Sequence, residues 1–410
     1  MNKVIKDSWP LFFGIFMIMV GNGLQGTLLG VRAEIEDFST ATTGLVMSMY
    51  YGGFLAGSVL APILVSNVGH IRVFTAMASM ASATTLLHGI FVDPVWWCVA
   101  RMISGFSFAA LYIVIESWMN DVSTNENRGK VLGTYLGTFY GSMVVGQYLL
   151  NIAPPEQIEL FVLISVLISV ALLPISLSKR PAPNFEAPHP IGIKEVYKAS
   201  PLGVVGVIIS GAGASILFGI GPVFAAQTGM EIREIANFMA FFILGAVSAQ
   251  LPIGYLSDRI ERRKIITMIA FLASISAGLC LFSQGNMELL YLNMFFVGAM
   301  ALSIYGVCVA YTNDHLSREQ YVGASSMLIL LNGVGSFFGP FIATLFMSFY
   351  GPSAFFGSVG AIYIGICLFA LYRAAVNPKV VSVEDQGDYL SVHPRATPVV
   401  AQIAEEVIEE

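Results

Sequence analysis

The sequence predicts an all-α membrane protein with twelve transmembrane helices arranged as two pseudo-symmetric six-helix bundles. Three observations support this prediction. Of the 410 residues, 56% are hydrophobic and only 11% are charged; charge-poor intervals long enough to cross a bilayer recur along the chain; and the two halves of the chain resemble each other. A soluble domain carries about 25% charged residues, so the composition excludes a soluble enzyme and a disordered or collagen-like chain.

Charge-poor intervals define the helices because a bilayer core of roughly 30 Å needs about 20 apolar residues per helix. The first half has six such intervals, at residues 8–31, 38–71, 73–92, 94–118, 131–155 and 160–178. The second half has four, at 199–230, 235–257, 265–287 and 289–313. They are followed by residues 320–372, which suffice for two helices joined by a turn at Tyr350, Gly351 and Pro352.

These intervals divide the chain into four parts. We expect an N-terminal bundle over residues 1–178, a hydrophilic linker over 179–198 that is rich in proline and charge, a C-terminal bundle over 199–373 and an acidic tail over 374–410. A solvated tail is the expectation, although the final VVAQIAEEVIEE also has the pattern of a short amphipathic helix.

Lysine and arginine predict the orientation. When the loops are assigned alternately from a cytoplasmic N-terminus, 17 of the 20 Lys and Arg residues fall on the cytoplasmic side. Positive residues are enriched there, so both termini and the linker are predicted to face the cytoplasm. The first apolar segment lacks a short apolar region with a cleavage site, which indicates an uncleaved helix.

An internal repeat relates the two halves at an offset of about 190 residues. Residues 112–121 read YIVIESWMND and residues 305–314 read YGVCVAYTND, so Tyr, Asn and Asp coincide at an offset of 193. Gly146 and Gln147 fall on Gly339 and Pro340 at the same offset. Parallel repeats of this kind are a transporter architecture, with the substrate bound near the bilayer midplane between them.

One loop carries a recognisable motif. Residues 254–264, GYLSDRIERRK, resemble the G-x-L-a-D-R-x-G-R-R/K loop of the major facilitator superfamily, and RMISG at residues 101–105 is similar to its RxxxG motif. The loop at residues 62–72 lacks the Asp-Arg pair that the family usually carries there. The run IESWMND, followed by NENRGKVLGTYLG, resembles the bacterial YcaD-like subgroup. The resemblance implies the superfamily fold, transport without a cofactor, a bacterial inner membrane and a monomer.

The loop motif predicts a conformational latch. Asp258 is expected near a helix N-terminus, where a carboxylate is favoured, and Arg259 is expected to pair with an acid such as Asp314. Asp121, which coincides with Asp314 in the repeat, and Arg128 are assigned to the same latch. The neighbouring Arg262, Arg263 and Lys264 are interpreted as topology determinants only.

Arg101 and Glu116 are the charged residues that fall inside predicted spans, where each costs roughly 2.5 kcal/mol or more unless it is paired or hydrated. They lie on similar sides of one helix, about 22 Å apart along it, with Tyr112 between them. Arg101 is a candidate for substrate binding or coupling. The alternative is a structural role, in which it hydrogen-bonds neighbouring carbonyl groups. Glu116 is the candidate proton carrier, or joins Asp121 and Arg128 in a structural network.

Uncharged polar residues inside predicted spans form a second set of candidates. Each contacts the substrate or hydrogen-bonds between helices. Arg32, after the first helix, either attracts an anion at the outer mouth or anchors the interface beside Glu34 and Glu36. The uncharged candidates are Asn22, Gln25, Gln147 and Asn332.

These features predict a secondary active transporter that moves a small organic solute by alternating access and couples this movement to protons. A phosphate-binding loop is missing from the sequence, which excludes ATP-driven transport within this chain. Neither an enzyme, a metal site nor nucleic-acid binding is expected; the partners are the solute, protons and the bilayer. The alternative is a transporter-like receptor or scaffold that binds a solute and signals through the linker or tail.

Overall fold

The computed structural model describes residues 9–124, 127–176, 191–377, 381–387 and 389, without the side chains of Arg128 and Arg318. Within these residues the regular elements are helices, as the sequence predicts. Close packing divides the chain into two units. The first unit comprises Met1–Ala187 with Phe218–Ala240, and the second comprises Pro188–Leu217 with Phe241–Glu410.

The described residues between 9 and 176 form six long helices. Helix α1 packs against α5 and α6, α2 packs against α4, and α3 packs against α4 and α6. Asp93 caps the start of α4, because its carboxylate accepts a 2.8 Å hydrogen bond from the backbone N–H of Trp96 and Pro94 occupies the first turn. The helices are α1 Trp9–Ile35, α2 Thr40–Val68, α3 His70–Ile90, α4 Pro94–Asp121, α5 Arg128–Leu149 and α6 Glu159–Ser176.

A short helix precedes the long helices of the second half. Helix α10 packs against α11, α12 and α14. The tenth predicted span is broken at Leu302 into α11 and α12. The helices are α7 Ile193–Ala199, α8 Pro201–Gln227, α9 Ile232–Ser257, α10 Arg262–Ser283, α11 Met287–Ala301, α12 Ser303–Asn313, α13 Tyr321–Tyr350 and α14 Ala354–Val376.

Eleven helices in the described ranges are long and apolar enough to cross a membrane, counting α11 and α12 as one. Helix α5, which corresponds to the predicted span at 131–155, has the length of a spanning helix at 22 residues. Its Gly, Tyr and Thr residues, with Lys130, make it less apolar than the others. Gly351, with a φ of 84°, ends α13 at the predicted turn.

Glycines allow equivalent helix pairs in the two units to approach closely. A Cβ on Gly105 of α4 would overlap the carbonyl oxygen of Tyr50 on α2. A Cβ on Gly298 of α11 would overlap the carbonyl oxygen of Phe242 on α9 in the same way. Small residues permit such backbone contacts in membrane helices. Because the two glycines are 193 positions apart, the packing follows the sequence repeat.

The linker and the tail both have local structure in their described residues. Residues 193–198 of the predicted linker are helical, and Val196 is buried; the linker residues 179–190 lie outside the described part. The tail is not wholly solvated, because Val383–Asp385 forms a 3-10 turn and Gly387 and Tyr389 bond residues of the second unit. The amphipathic helix predicted at the C-terminus also lies outside the described residues.

Candidate substrate and coupling site

Helix α4 carries three of the predicted site residues, Arg101, Tyr112 and Glu116. All three side chains are buried, and Glu116 is 0% exposed. The 28 residues of α4 form one uninterrupted helix, so Arg101 and Glu116 keep the separation along the axis of about 22 Å that the sequence predicts. The helix therefore presents two buried ionisable groups at different depths of the first unit.

Arg101 lies over an aromatic ring. Its guanidinium carbon is 4.3 Å from the centroid of the Tyr50 ring on α2. A cation above the face of an aromatic ring is attracted by the ring quadrupole, by about 2 kcal/mol when the pair is desolvated. The Tyr50 ring thus holds a buried positive charge in place.

Asn22 joins α1 to the same group of residues. Its side-chain amide donates a 2.6 Å hydrogen bond to the Tyr112 hydroxyl and a 3.3 Å hydrogen bond to the Tyr50 hydroxyl. The Tyr112 hydroxyl in turn donates to the sulfur of Met19, at 3.5 Å. The structure therefore brings Asn22, Tyr112 and Arg101 together around Tyr50.

Glu116 has a tyrosine partner on the neighbouring helix. The Tyr135 hydroxyl of α5 donates a 2.9 Å hydrogen bond to Oε1 of Glu116. The Tyr135 ring contacts Phe139, and Phe139 contacts Tyr112, with centroid separations of 6.1 and 5.9 Å. We call Tyr50, Phe108, Tyr112, Phe139 and Tyr135 the aromatic cluster. Its ring contacts are continuous from the residue that holds Arg101 to the residue that bonds Glu116.

The predicted amide residues mostly join helices. The Gln147 amide donates to the carbonyl oxygen of Gly23 at 3.0 Å, and its oxygen accepts from Thr27 at 2.6 Å, so it links α5 to α1. The Asn332 amide donates to the Val207 carbonyl oxygen at 3.1 Å, which links α13 to α8. Neither side chain joins the aromatic cluster through these bonds.

Gln25 and Arg32 occupy different surroundings on α1. The Gln25 amide donates to Thr85 at 2.9 Å, while its Oε1 is buried without a hydrogen-bond partner in the described part of the chain. Arg32 bonds the carbonyl oxygen of Pro155 at 3.0 Å and pairs with Glu36 at 2.6 Å. This geometry matches an anchor more closely than a free anion receptor.

The latch residues differ from the sequence prediction. Asp314 pairs with Arg262, whose guanidinium also lies 3.2 Å from Asp258. The expected Arg259–Asp314 pair is replaced, because Arg259 lies 3.9 Å above the Tyr255 ring. Arg262 is 1% exposed, so it is a buried ion-pair partner rather than a topology determinant alone.

The first-half latch residues lie at the facing ends of two consecutive helices. Asp121 is exposed at the end of α4 and Arg128 begins α5, but the side chain of Arg128 lies outside the described part. At the position 192 residues before Arg262 stands His70, whose Nε2 lies 2.8 Å from the Ser117 hydroxyl. Ser117 is the repeat counterpart of Ala310, which accepts from Arg262.

Sequence reasoning missed four residues of these groups: Tyr50, Tyr135, His70 and Arg262. The two tyrosines carry no charge, so nothing in the hydropathy of α2 and α5 distinguishes them. The repeat was a usable signal for the other two, since an offset of 193 aligns Asp121 with Asp314 and an offset of 192 aligns His70 with Arg262.

Known proteins match both the sequence and the fold. The family model of the Major Facilitator Superfamily matches residues 11–231 and 203–403. The chain belongs to the major facilitator superfamily. This superfamily member is a multi-pass membrane transporter. It is 25% identical over 384 residues to the uncharacterized MFS-type transporter YcaD of Salmonella newport, covering 93% of this chain and 100% of that protein.

Two solved transporters share the superfamily fold with this chain. A variant of the nucleoside transporter NupG superposes with a TM-score of 0.77 at 14% identity, covering 89% of this chain and 99% of NupG. A variant of the E. coli fucose:proton symporter FucP superposes with a TM-score of 0.56 at 15% identity, covering 90% and 99%. At these identities the likeness concerns the fold.

Proposed function

We propose that this transporter is a proton-coupled secondary transporter that moves a small organic solute by alternating access, with Glu116 as the proton carrier. The observation that carries the proposal is the wholly buried Glu116 carboxyl, whose Oε1 accepts from Tyr135. Ionisable residues inside membrane segments are functional candidates because burying their charge is expensive. A proton that arrives at or leaves Glu116 changes the charge inside α4.

The solute-binding part of the proposal rests on Asn22, Tyr112 and Arg101. They combine a hydrogen-bonding amide, a phenol and a cation with the faces of aromatic rings. Such a set suits a solute that has hydroxyl or carbonyl groups at one end and a planar or apolar part at the other. Gln25, whose Oε1 has no hydrogen-bond partner among the described residues, is the further candidate on α1. Gln147, Asn332 and Arg32 are assigned to packing.

The solved neighbours suggest where a search for the solute begins. NupG transports nucleosides and FucP transports fucose with protons, as their names state. Both solutes carry several hydroxyl groups, which the amide and phenol groups here are able to bond. The same proposal includes cytoplasmic termini, a bacterial inner membrane and functional halves at residues 1–178 and 199–373, supported by the distribution of Lys and Arg and by the repeat.

Proton movement driven by the solute tests this function. Purified protein is reconstituted in liposomes that contain a pH-sensitive dye, and nucleosides, sugars, organic acids and amino acids are added outside in turn. We expect one class to change the internal pH, and protein-free liposomes to show no change. Entry of a radiolabelled solute at a rate independent of the pH gradient, without any dye response, would contradict proton coupling.

A further inference from the structure

The C-terminal chain beyond α14 bonds the second unit through its backbone. The N–H of Tyr389 donates a 2.7 Å hydrogen bond to Oδ1 of Asp258, and the N–H of Gly387 donates a 3.2 Å hydrogen bond to Oδ1 of Asp314. The carbonyl oxygen of Gly387 accepts from Arg262. The chain therefore bonds Asp258, Arg262 and Asp314, which lie where α9 ends, α10 begins and α12 ends.

The Tyr389 side chain lies against two glycines on different helices. A Cβ on Gly254 of α9 would lie 2.6 Å from a ring carbon of Tyr389, and a Cβ on Gly306 of α12 would lie 2.5 Å from its hydroxyl oxygen. Contacts below 3 Å force one of the partners to move. The ring therefore occupies space that exists because both positions are glycine.

Two further hydrogen bonds involve described residues that precede Gly387. Where α14 ends, the carbonyl oxygen of Asn377 accepts a 2.8 Å hydrogen bond from Arg263. The hydroxyl of Ser382 then donates to the Asp385 carboxylate at 2.7 Å across the 3-10 turn. The described residues of the C-terminal chain are thus held by the bond at Asn377, by the 3-10 turn and by the backbone bonds of Gly387 and Tyr389.

The charges at the docking site depend on the tail for part of their hydrogen bonding. Burial raises the pKa of Asp314 above its ordinary value, although Arg262 and the Gly387 N–H act in the opposite direction. Hydrogen bonds to charged groups are stronger than those between neutral groups. Loss of the tail removes one donor from each of Asp258 and Asp314 and one acceptor from Arg262.

We propose that residues 382–387 together with Tyr389 form a strap that holds the ends of α9, α10 and α12 in one arrangement. These helix ends then separate only after the strap leaves Asp258, Arg262 and Asp314. The strap is a regulatory contact built into the chain, and it goes beyond the transport function proposed above.

Two truncations that differ only in the strap provide the first test. One chain ends at residue 390 and keeps the strap; the other ends at residue 380 and lacks it. Amide hydrogen exchange is followed in peptides from residues 250–258 and 306–314. Without the strap, local opening of these helix ends should need less free energy, and exchange in the shorter chain should rise on the order of tenfold. A tenfold rise corresponds to an opening free energy that is lower by about 1.36 kcal/mol. Exchange that is the same in both truncations and in the full chain would overturn the proposal.

A methyl group placed under the tyrosine ring provides the second test, which does not depend on the folding of a truncated chain. Gly254→Ala in the full chain should accelerate exchange in the same peptides, as should Tyr389→Ala. In the double variant, Gly254→Ala should add nothing once Tyr389 is alanine. Gly278→Ala on α10 is the control and should leave exchange unchanged, because an added methyl group there would meet no other described part of the chain within 4 Å. If Gly254→Ala acts equally with and without the tyrosine ring, the ring does not transmit the effect and the strap is rejected.

Discussion

The Tyr135 hydroxyl donates a 2.9 Å hydrogen bond to Oε1 of Glu116 and so links α5 to α4 inside the first unit. Both side chains are buried. A buried carboxyl group is expensive without hydrogen bonds, and Tyr135 supplies one of them. The bond also depends on the charge of Glu116, since a phenol donates more strongly to a carboxylate than to a neutral acid. Tyr135 is therefore a positioning residue for the proposed proton carrier.

Tyr135→Phe tests this role because it removes the hydroxyl and keeps the ring that contacts Phe139. One lost charge-assisted hydrogen bond of about 1.5 kcal/mol or more corresponds to a rate on the order of tenfold lower. We expect initial uptake driven by a pH gradient in proteoliposomes to fall by that factor. Tyr148→Phe, at an exposed tyrosine of the same helix, should transport normally. Equal uptake by both variants would remove Tyr135 from the coupling site.

Arg101→Lys separates the charge of Arg101 from its planar shape. Lysine keeps the positive charge but loses the planar guanidinium that lies over Tyr50. We expect a several-fold weaker apparent affinity for the solute, with the rate at saturation largely kept. Uptake measured over a range of solute concentrations gives both quantities. A lower saturated rate at unchanged affinity would place Arg101 in coupling instead of solute binding.

Arg262→Gln and Arg259→Gln distinguish the observed latch from the predicted one. Removal of Arg262 leaves Asp314, which is 2% exposed, without its cationic partner, and such a loss costs about 3–5 kcal/mol. Arg259 is exposed above Tyr255, where a cation–π contact contributes about 0.5–1 kcal/mol. Thermal unfolding in detergent should therefore show a much larger loss for Arg262→Gln. Equal losses would indicate that the Arg262–Asp314 pair is not stabilising.

Gly105→Ala and Gly298→Ala test whether equivalent close contacts between two helices stabilise both units. Each added methyl group meets a backbone carbonyl, of Tyr50 or Phe242, which cannot rotate away as a side chain does. We expect both variants to lower the unfolding temperature or to fail to fold. Gly133→Ala on α5, with nothing within 4 Å, should be neutral or slightly stabilising, by about 0.5–1 kcal/mol. Destabilisation by Gly105→Ala alone would show that the repeat does not extend to this contact.

The sequence predicted the helices and the ionisable residues because both leave a direct compositional signal. The charge-poor interval at residues 320–372 was too long for one helix and so indicated the turn at Gly351. Arg101 and Glu116 were identified because they are charged residues inside another such interval. The partners of those charges were not predictable, since the rotation of α2 and α5 decides whether Tyr50 and Tyr135 face α4. The rotation of a helix about its own axis does not alter its amino-acid composition, so composition does not reveal it.

The contacts of the latch and of the tail were not predicted, for related reasons. Arg259 and Arg262 are three residues apart, but α10 begins at Arg262, so the loop geometry selects which one turns inward. The tail binds through backbone groups of Gly387 and Tyr389, and backbone groups are the same at nearly every position of a sequence. Only the packing of α9, α10 and α12 brings together the Asp258, Arg262 and Asp314 groups that bond them.

The central claim, that Glu116 carries the proton, is tested most directly by measuring both solute accumulation and solute exchange in the Glu116→Gln variant. Glutamine resembles protonated glutamic acid but neither gains nor loses a proton. With a radiolabelled solute in proteoliposomes, we predict that this variant still exchanges internal for external solute and no longer accumulates it in response to a pH gradient, while Glu156→Gln, at an exposed acid, does both. Full gradient-driven accumulation by Glu116→Gln would contradict the account.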